Sequence, residues 1–335
     1  MNISEELQEF GLVKYVVNNG GALVPLVIPA EYTKGTGLMN PSIFNDNGTL
    51  LVNIRHINYT LYHSETKKFQ HQFGPLQYLH PEHDQTLTTY NYMCVLNDDL
   101  SMKTVNKIDT SMLDVSPIWH FIGLEDARLF RWLGKLYLCG VRRDTTTNGE
   151  GRMELSEIQI TNNGVREVSR TRIPVPGNHH SYCEKNWMPV ADLPHHFVKW
   201  TNPTQLVEYN VYTKESDTVV LDDSKYISGY PDFRGGSQVI KLGDYYLAIT
   251  HETLLFNSEL GRKDGRYRHR FIMWDSNWNI IKITDSFSFM TGEIEFCCGT
   301  TLHQNDLLVS FGFQDNAAYI LRIPVPVLLT ILGIQ

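Results

Sequence analysis

An all-β architecture, a five-bladed β-propeller with a central funnel-shaped active site, is the fold that three features of the sequence predict. Short apolar segments rich in β-branched and aromatic residues recur along the chain, bounded by Gly, Asp, Asn or Pro. Only "SEELQEF" and the C-terminal tail read as helical. The third feature is a period. Five segments follow one plan, in which a polar cluster leads through a turn into a hydrophobic strand, and repeats of this size suit radial blades of four strands with few open edges.

The first repeat, "MNPSIFNDNGTLLVNIR", sets Asn40 ahead of its strands and Arg55 near their end. The second, "GLEDARLFRWLGKLYLCGV", opens with Glu125, Asp126 and Arg128. The third, "EKNWMPVADLPHHFVKW", opens with Glu184, Lys185 and Asn186, and the fourth, "RGGSQVIKLGDYYLAIT", with Arg234, Ser237 and Gln238. The fifth, "IEFCCGTTLHQNDLLVSFGF", has Glu295 at its start and Glu293 just ahead of it. Glu125, Glu184, Gly235 and Glu295 are spaced by 59, 51 and 60 residues; the 85 from Asn40 to Glu125 require an insertion. Residues 1–335 therefore read as one propeller domain with blades opening near 40, 125, 184, 235 and 295 and a short tail at 325–335. "GLVKYVV" near the N-terminus is expected to close the ring as a strand of the last blade.

Composition narrows the function. With 42% hydrophobic residues, 20% charged residues and a net charge of -8, the 335-residue chain has no basic footprint, so nucleic acid is not expected as a partner except as a glycosylated acceptor. The N-terminus lacks the signal-peptide pattern, and the longest apolar run, "VPVLLTILGI", is half of the roughly 20 residues a membrane helix needs. A soluble cytoplasmic protein with no membrane partner is expected. Five cysteines without a zinc-like CxxC pair read as reduced core thiols. "NHHSYCEK" and "LPHHFV" resemble metal sites only superficially, because adjacent histidines on a strand point to opposite faces; neither a metal nor a cofactor is expected. "RYRHRF" and "GRKDGR" read as a basic loop.

In a propeller the innermost strand of each blade faces the central channel. The repeated polar clusters then become a shared pocket lining, since burying so many charges with neither a ligand nor a partner is costly.

"GLEDARLF" resembles the Gly-x-Glu-Asp-Pro-Arg motif of the β-mannoside phosphorylases and their hydrolase relatives, and the repeat plan resembles more loosely the five-bladed arabinanase, levansucrase and invertase superfamily. "NPSI" with Arg55, "EKNW", "THE" with His251 and Glu252, and "SFGFQDNAA" with Asp315 fall in the same order, over roughly residues 38–320. "EKNW", "RGGSQ" and "YRHRF" also resemble propeller proteins associated with glycan-building enzymes. Ala127 stands where the phosphorylases usually have proline, which shifts the backbone beside the acidic pair.

Making or breaking a glycosidic bond takes a group that handles the proton on the bridging oxygen and a nucleophile at the anomeric carbon. Asp126 is the expected acid or base, a position the resemblance also implies, with Glu125 and Arg128 orienting it. Asp315 or Glu295 is the expected second carboxylate if one is needed. Arg55, Lys185, Arg234 and His251 are the cationic positions for inorganic phosphate or a nucleotide sugar. Asn40, Asn186, Gln238 and Glu252 complete the expected substrate-binding set, and Trp187 is the expected sugar-stacking ring. A glycosyl-transferring enzyme, a glycoside phosphorylase or nucleotide-sugar-dependent glycosyltransferase with an inverting outcome, is the leading reading. A glycoside hydrolase and a noncatalytic glycan-binding propeller are its alternatives, and the sequence leaves the oligomeric state open.

Overall fold

A computed structural model describes residues 3–34, 37–61, 78–79, 84, 86–146, 148–177, 181–257 and 263–334. Helix α1 (Ile3–Asn18) leads into β1 (Ala22–Leu26) and the short α2 (Ala30–Thr33); α3 (Val325–Leu332) lies at the other end. Between them the strands fall into five antiparallel units in chain order. The first holds β2 (Leu38–Asp46), β3 (Thr49–Ile57), β6 (Leu87–Leu96) and β7 (Met102–Asp109), with a ribbon of β4 (Thr60–Leu61) and β5 (Tyr78–Leu79) between β3 and β6. The second, entered through β8 (Phe121–Ile122), holds β9 (Glu125–Trp132), β10 (Lys135–Arg142), β11 (Arg152–Thr161) and β12 (Gly164–Arg172). The third holds β13 (Met188–Pro189), β14 (His196–Trp200), β15 (Gln205–Asn210) and β16 (Glu215–Val220). In the fourth the inner edge is split into β17 (Arg234–Gly235) and β18 (Ile240–Leu242), ahead of β19 (Tyr245–Asn257), β20 (Lys263–Trp274) and β21 (Ile280–Ile283). The fifth joins β22 (Glu295–His303), β23 (Asp306–Phe313) and β24 (Ala317–Pro324) to β1.

The hairpins form where the turn chemistry demands. Asn47 and Gly48 (φ 52 and 95) turn β2 into β3, and Leu133 and Gly134 (φ 49 and 78) turn β9 into β10, both with the paired positive φ of a tight hairpin. Inner strands then meet around an axis. The Ser42 hydroxyl accepts from Leu129 N–H and donates to Cys298 O, joining the second, first and fifth units. Trp132 Nε1 donates to Val190 O, and Ala191 N–H donates to Val239 O, carrying the ring through the third unit to the fourth. The Gln238 amide donates to Ile43 O and accepts from Thr300 N–H, which completes the circuit across the axis. Separate apolar clusters fill the spaces between neighbours, such as Trp132, Trp187 and Phe197 between the second and third units and Val198, Ile272 and Trp274 between the third and fourth. Each such buried side chain contributes about 1.5–3 kcal/mol. The all-β, propeller-type class follows from this arrangement. The first two units also pair in parallel at their outer edges, β7 with β12, so that they curl into one barrel-like sheet.

"GLVKYVV" is helical, which corrects its expected place as the closing strand. Leu7, Leu12 and Val16 bury one face of α1 against the core between the fourth and fifth units. At the kink Gly11 has φ 79, and the N–H groups of Leu12 and Val13 donate to the carbonyls of Ser288 and Phe289. A side chain at Gly11 would stand 2.7 Å from Phe289 O, so helical spacing and docking outweigh the β-branched composition. The segment that completes the last sheet comes next, with β1 antiparallel to β24.

"RYRHRF" is part of strand β20 instead of a basic loop, and its residues alternate. Arg266 pairs with Glu293 and Arg270 with Glu252, whereas Tyr267 and His269 turn inward. Gly261 and Arg262 of "GRKDGR", and His179 and His180 of "NHHSYCEK", lie outside the described residues. All five cysteines are free thiols, four of them buried. Among the described residues no helix is long and apolar enough to cross a membrane.

Candidate active site

The inner strands open onto a cavity of about 330 Å³ at one end of the axis. Two of them reach it through the same local device. Met39 pairs with Arg55 and Ser42 with Asn53, so Asn40 and Pro41 oppose Ile54 alone; Glu125 pairs with Val141 and Arg128 with Cys139, so Asp126 and Ala127 oppose Gly140 alone. Each is a β-bulge, which resets the alternation of a strand and re-aims one side chain. Asn40 and Asp126 adopt left-handed backbone, φ 44 and 50, and Asn186 and Asp315 do the same at φ 65 and 48. Asn and Asp are the residue types that tolerate this conformation best apart from glycine. All four line the cavity. The charge in "GLEDARLF" therefore leaves the core through a bulge. Gly140 permits it, because a Cβ there would lie 2.3 Å from Glu125 O; Gly140→Ala is expected to cost about 1–3 kcal/mol in denaturant unfolding.

Arg55 organises the floor. Its guanidinium lies 2.8 Å from Asp126 and 3.4 Å from Glu125, and donates to Thr89 Oγ1 and the Tyr59 hydroxyl. Asn40 Nδ2 donates to the same Asp126 oxygen at 2.7 Å. Burial pushes the Asp126 carboxyl up, but Arg55, the Asn40 amide, Arg128 and Lys185 outweigh it and hold the group below the usual carboxylate range. Asp315 experiences the opposite balance. Burial, with the Asp126 charge added, overcomes Arg55 and Lys185 and pushes its carboxyl up to about 6.

The opposite wall is cationic and aromatic. Lys185 and Arg234 both line the cavity and are exposed, and among the described residues neither makes an ion pair. His251 is buried beneath Tyr267, with rings stacked at 5.6 Å, and meets Phe296 edge-on at 4.8 Å. Among the described residues its Nδ1 has no hydrogen-bond partner. Burial and nearby cations hold the imidazole well below its ordinary pKa, so it presents a neutral ring. Tyr267, pushed up to about 12 by burial and the carboxylates of Asp315 and Asp126, keeps its proton. Asp232, Thr253, Leu255 and Ile294 complete the lining.

Eight expected residues thus converge: Asn40, Arg55, Asp126, Lys185, Asn186, Arg234, His251 and Asp315. Six do not line the cavity. Arg128 is fully buried, its guanidinium donating to the carbonyls of Gly236, Asp126 and Gly235, and so holds blades together. Gln238 spends its amide on the axis, and Trp187 lies in the core with Nε1 donating to Glu184. The Glu295 carboxylate accepts the N–H groups of Phe289, Met290 and Gly292, leaving Asp315 as the second carboxyl of the floor. Glu252 pairs with Arg270, and Glu125 stands behind the floor against Arg55. Tyr267 and Asp232 were missed in the sequence. Tyr267 belongs to "RYRHRF", where the strand period carried the signal.

No protein-family profile matches this sequence, and no curated protein sequence matches it. Similarity emerges in the fold, which is that of the propeller-type carbohydrate enzymes. A β-1,2-mannobiose phosphorylase from Listeria innocua, solved with β-1,2-mannobiose, superimposes with a TM-score of 0.55 at 13% identity, over 93% of this chain and 97% of that one. A mannose phosphorylase from Leishmania mexicana, solved with phosphate, gives 0.50 at 12% identity over 94% and 92%. A GDP-Man-dependent mannosyltransferase from the same organism gives 0.52 at 12% identity over 91% and 90%.

Proposed function

We propose that this protein is a carbohydrate-active enzyme that transfers a glycosyl unit to or from a phosphate-bearing partner. The observation that carries this reading is the pairing, in one cavity, of two carboxyls driven apart in pKa with two cations that have no ion-pair partner among the described residues. Environments that separate two acids assign their roles. Asp315, protonated near pH 6, supplies the proton to the bridging oxygen as the bond to the anomeric carbon breaks. Asp126, kept ionised by Arg55 and Asn40, faces the positive charge that builds on the sugar ring. The acid role expected for Asp126 passes to Asp315 on this account. Lys185 and Arg234 hold the phosphate group, whose oxygen forms the new bond to the anomeric carbon as the glycosidic bond breaks, and Nδ1 of His251 meets a phosphate or sugar oxygen. The fold neighbours that act with phosphate or GDP-Man support the same class of partner.

The binding-protein alternative expects Asp126 in a neutralising ion pair, and Arg55 supplies one. That alternative leaves the perturbed Asp315 without a use. Incubation with sugar phosphates, nucleotide sugars and acceptor glycans should release phosphate or nucleotide; equal turnover with water alone makes the protein a hydrolase, and tight binding without turnover makes it a lectin.

The anion site has its own expected result. Phosphate or sulfate should raise the melting temperature with occupancy, by about 2.7 kcal/mol of stabilisation at a hundredfold excess over Kd. In the Lys185→Ala, Arg234→Ala double variant the increase should vanish, while the melting temperature without anion stays within a degree or two. An undiminished increase would place the anion elsewhere.

A further inference from the structure

We propose a second sugar-binding subsite on the rim of the cavity, an aromatic platform formed by Tyr182 on the segment that leads to Lys185. This rests on the carbohydrate reading above and adds to it the length of the glycan. Tyr182 is 64% exposed, although its ring is held from one side. The Arg143 guanidinium lies 5.3 Å from the centre of the Tyr182 ring and 5.2 Å from that of Phe121, in cation–π contact with both. Cation–π contact of this kind fixes an aromatic ring in orientation.

The backbone around the platform is anchored as well. Tyr182 O accepts from Gly151 N–H, Glu184 N–H donates back to Gly151 O, and Arg152 donates to Ser181 O. The loop that carries Arg143 is braced by Trp119, whose Nε1 donates to Thr146 O. An ordered ring with an open face, on a rigid rim, is the arrangement that stacks on the apolar face of a pyranose.

Continuity with the cavity gives the direction. Two residues separate Tyr182 from Lys185, a span of at most about 10 Å over three steps of the chain. Cys183, between them, lies 3.4 Å from Arg143 and feels the charges of both Lys185 and Glu125. A glycan whose reacting unit occupies the floor would therefore run outward past Lys185 and lay a more distant unit on Tyr182. Binding should favour chains longer than a disaccharide.

The test compares oligosaccharides of two and four manno-, gluco- or galacto-units on the intact protein by calorimetry, with GDP in parallel. For whichever series binds, the four-unit glycan should bind roughly tenfold tighter than the two-unit one. Tyr182→Ala should remove this advantage and Tyr182→Phe should keep it, with the two-unit affinity and the phosphate-induced melting increase unchanged. Equal affinities for both lengths, or an advantage that survives Tyr182→Ala, would overturn the subsite while leaving the proposed function in place. Loss of GDP binding in Tyr182→Ala with sugar binding intact would make the platform a nucleobase site and also overturn it. A protein that binds none of the glycans but still responds to phosphate would remove the carbohydrate reading, and the platform with it.

Discussion

Asp315→Asn is expected to lower the rate of glycosyl transfer by roughly 10²–10⁴ with the fold intact. The substitution keeps the side-chain volume and suits the left-handed backbone at this position, φ 48, so a structural cost is not its main consequence. The pH profile separates the proton-donating role from a merely polar one. In the direction that cleaves the glycosidic bond Asp315 must carry its proton, so activity should fall as pH rises through about 6, and that limb should disappear in the variant. Asp126 must be ionised, so the acid limb belongs below the ordinary carboxylate range. The two carboxyls interact, and the apparent values belong to the pair. Asp126→Asn should also lose at least a hundredfold, through the acid limb and through release of Arg55. A full rate in both variants would leave the cavity as a binding site.

Arg128→Met should reduce stability by about 3–5 kcal/mol, measured by denaturant unfolding. The loss comes from the carbonyls of Gly236, Asp126 and Gly235, which are buried and lose their donor together. No cavity-lining side chain is replaced and Arg55 still holds Asp126 ionised, so the rate per folded molecule near neutral pH should stay within a few-fold of the parent, with only the acid limb rising toward the ordinary carboxylate range as the Arg128 charge is lost. A stable variant with a collapsed rate would instead put Arg128 in the chemistry, where the sequence had placed it.

That contrast shows what the sequence could and could not tell. Strand positions, turns and the repeated polar clusters follow from local rules: period two, Gly and Asn at tight turns, polar residues at one place in each repeat. The convergence of Asn40, Asp126, Lys185 and Arg234 on one cavity followed from repetition alone. Which member of a cluster faces the cavity did not, because a bulge shifts the alternation by one residue and leaves no mark in composition. Asp126 and Arg128 sit two apart, yet one lines the cavity and the other is fully buried. Glu295 looked like a catalytic carboxylate because its three backbone donors come from a loop whose path only the fold defines. The helical "GLVKYVV" was hidden for a related reason, since its burial against distant strands overrides local propensity.

The left-handed Asn and Asp positions also bear on how this site can diverge. Asn40, Asp126, Asn186 and Asp315 tolerate only Asn, Asp or Gly without about 1–2 kcal/mol of backbone strain each, so the mutational repertoire there is narrow and the side chains are short, with few rotamers to freeze. Lys185, Arg234, Leu255 and Tyr267 carry no such constraint. Adaptation to a new sugar or a new phosphate donor, in nature or in a library, should therefore accumulate on that second set, while the four constrained positions drift little.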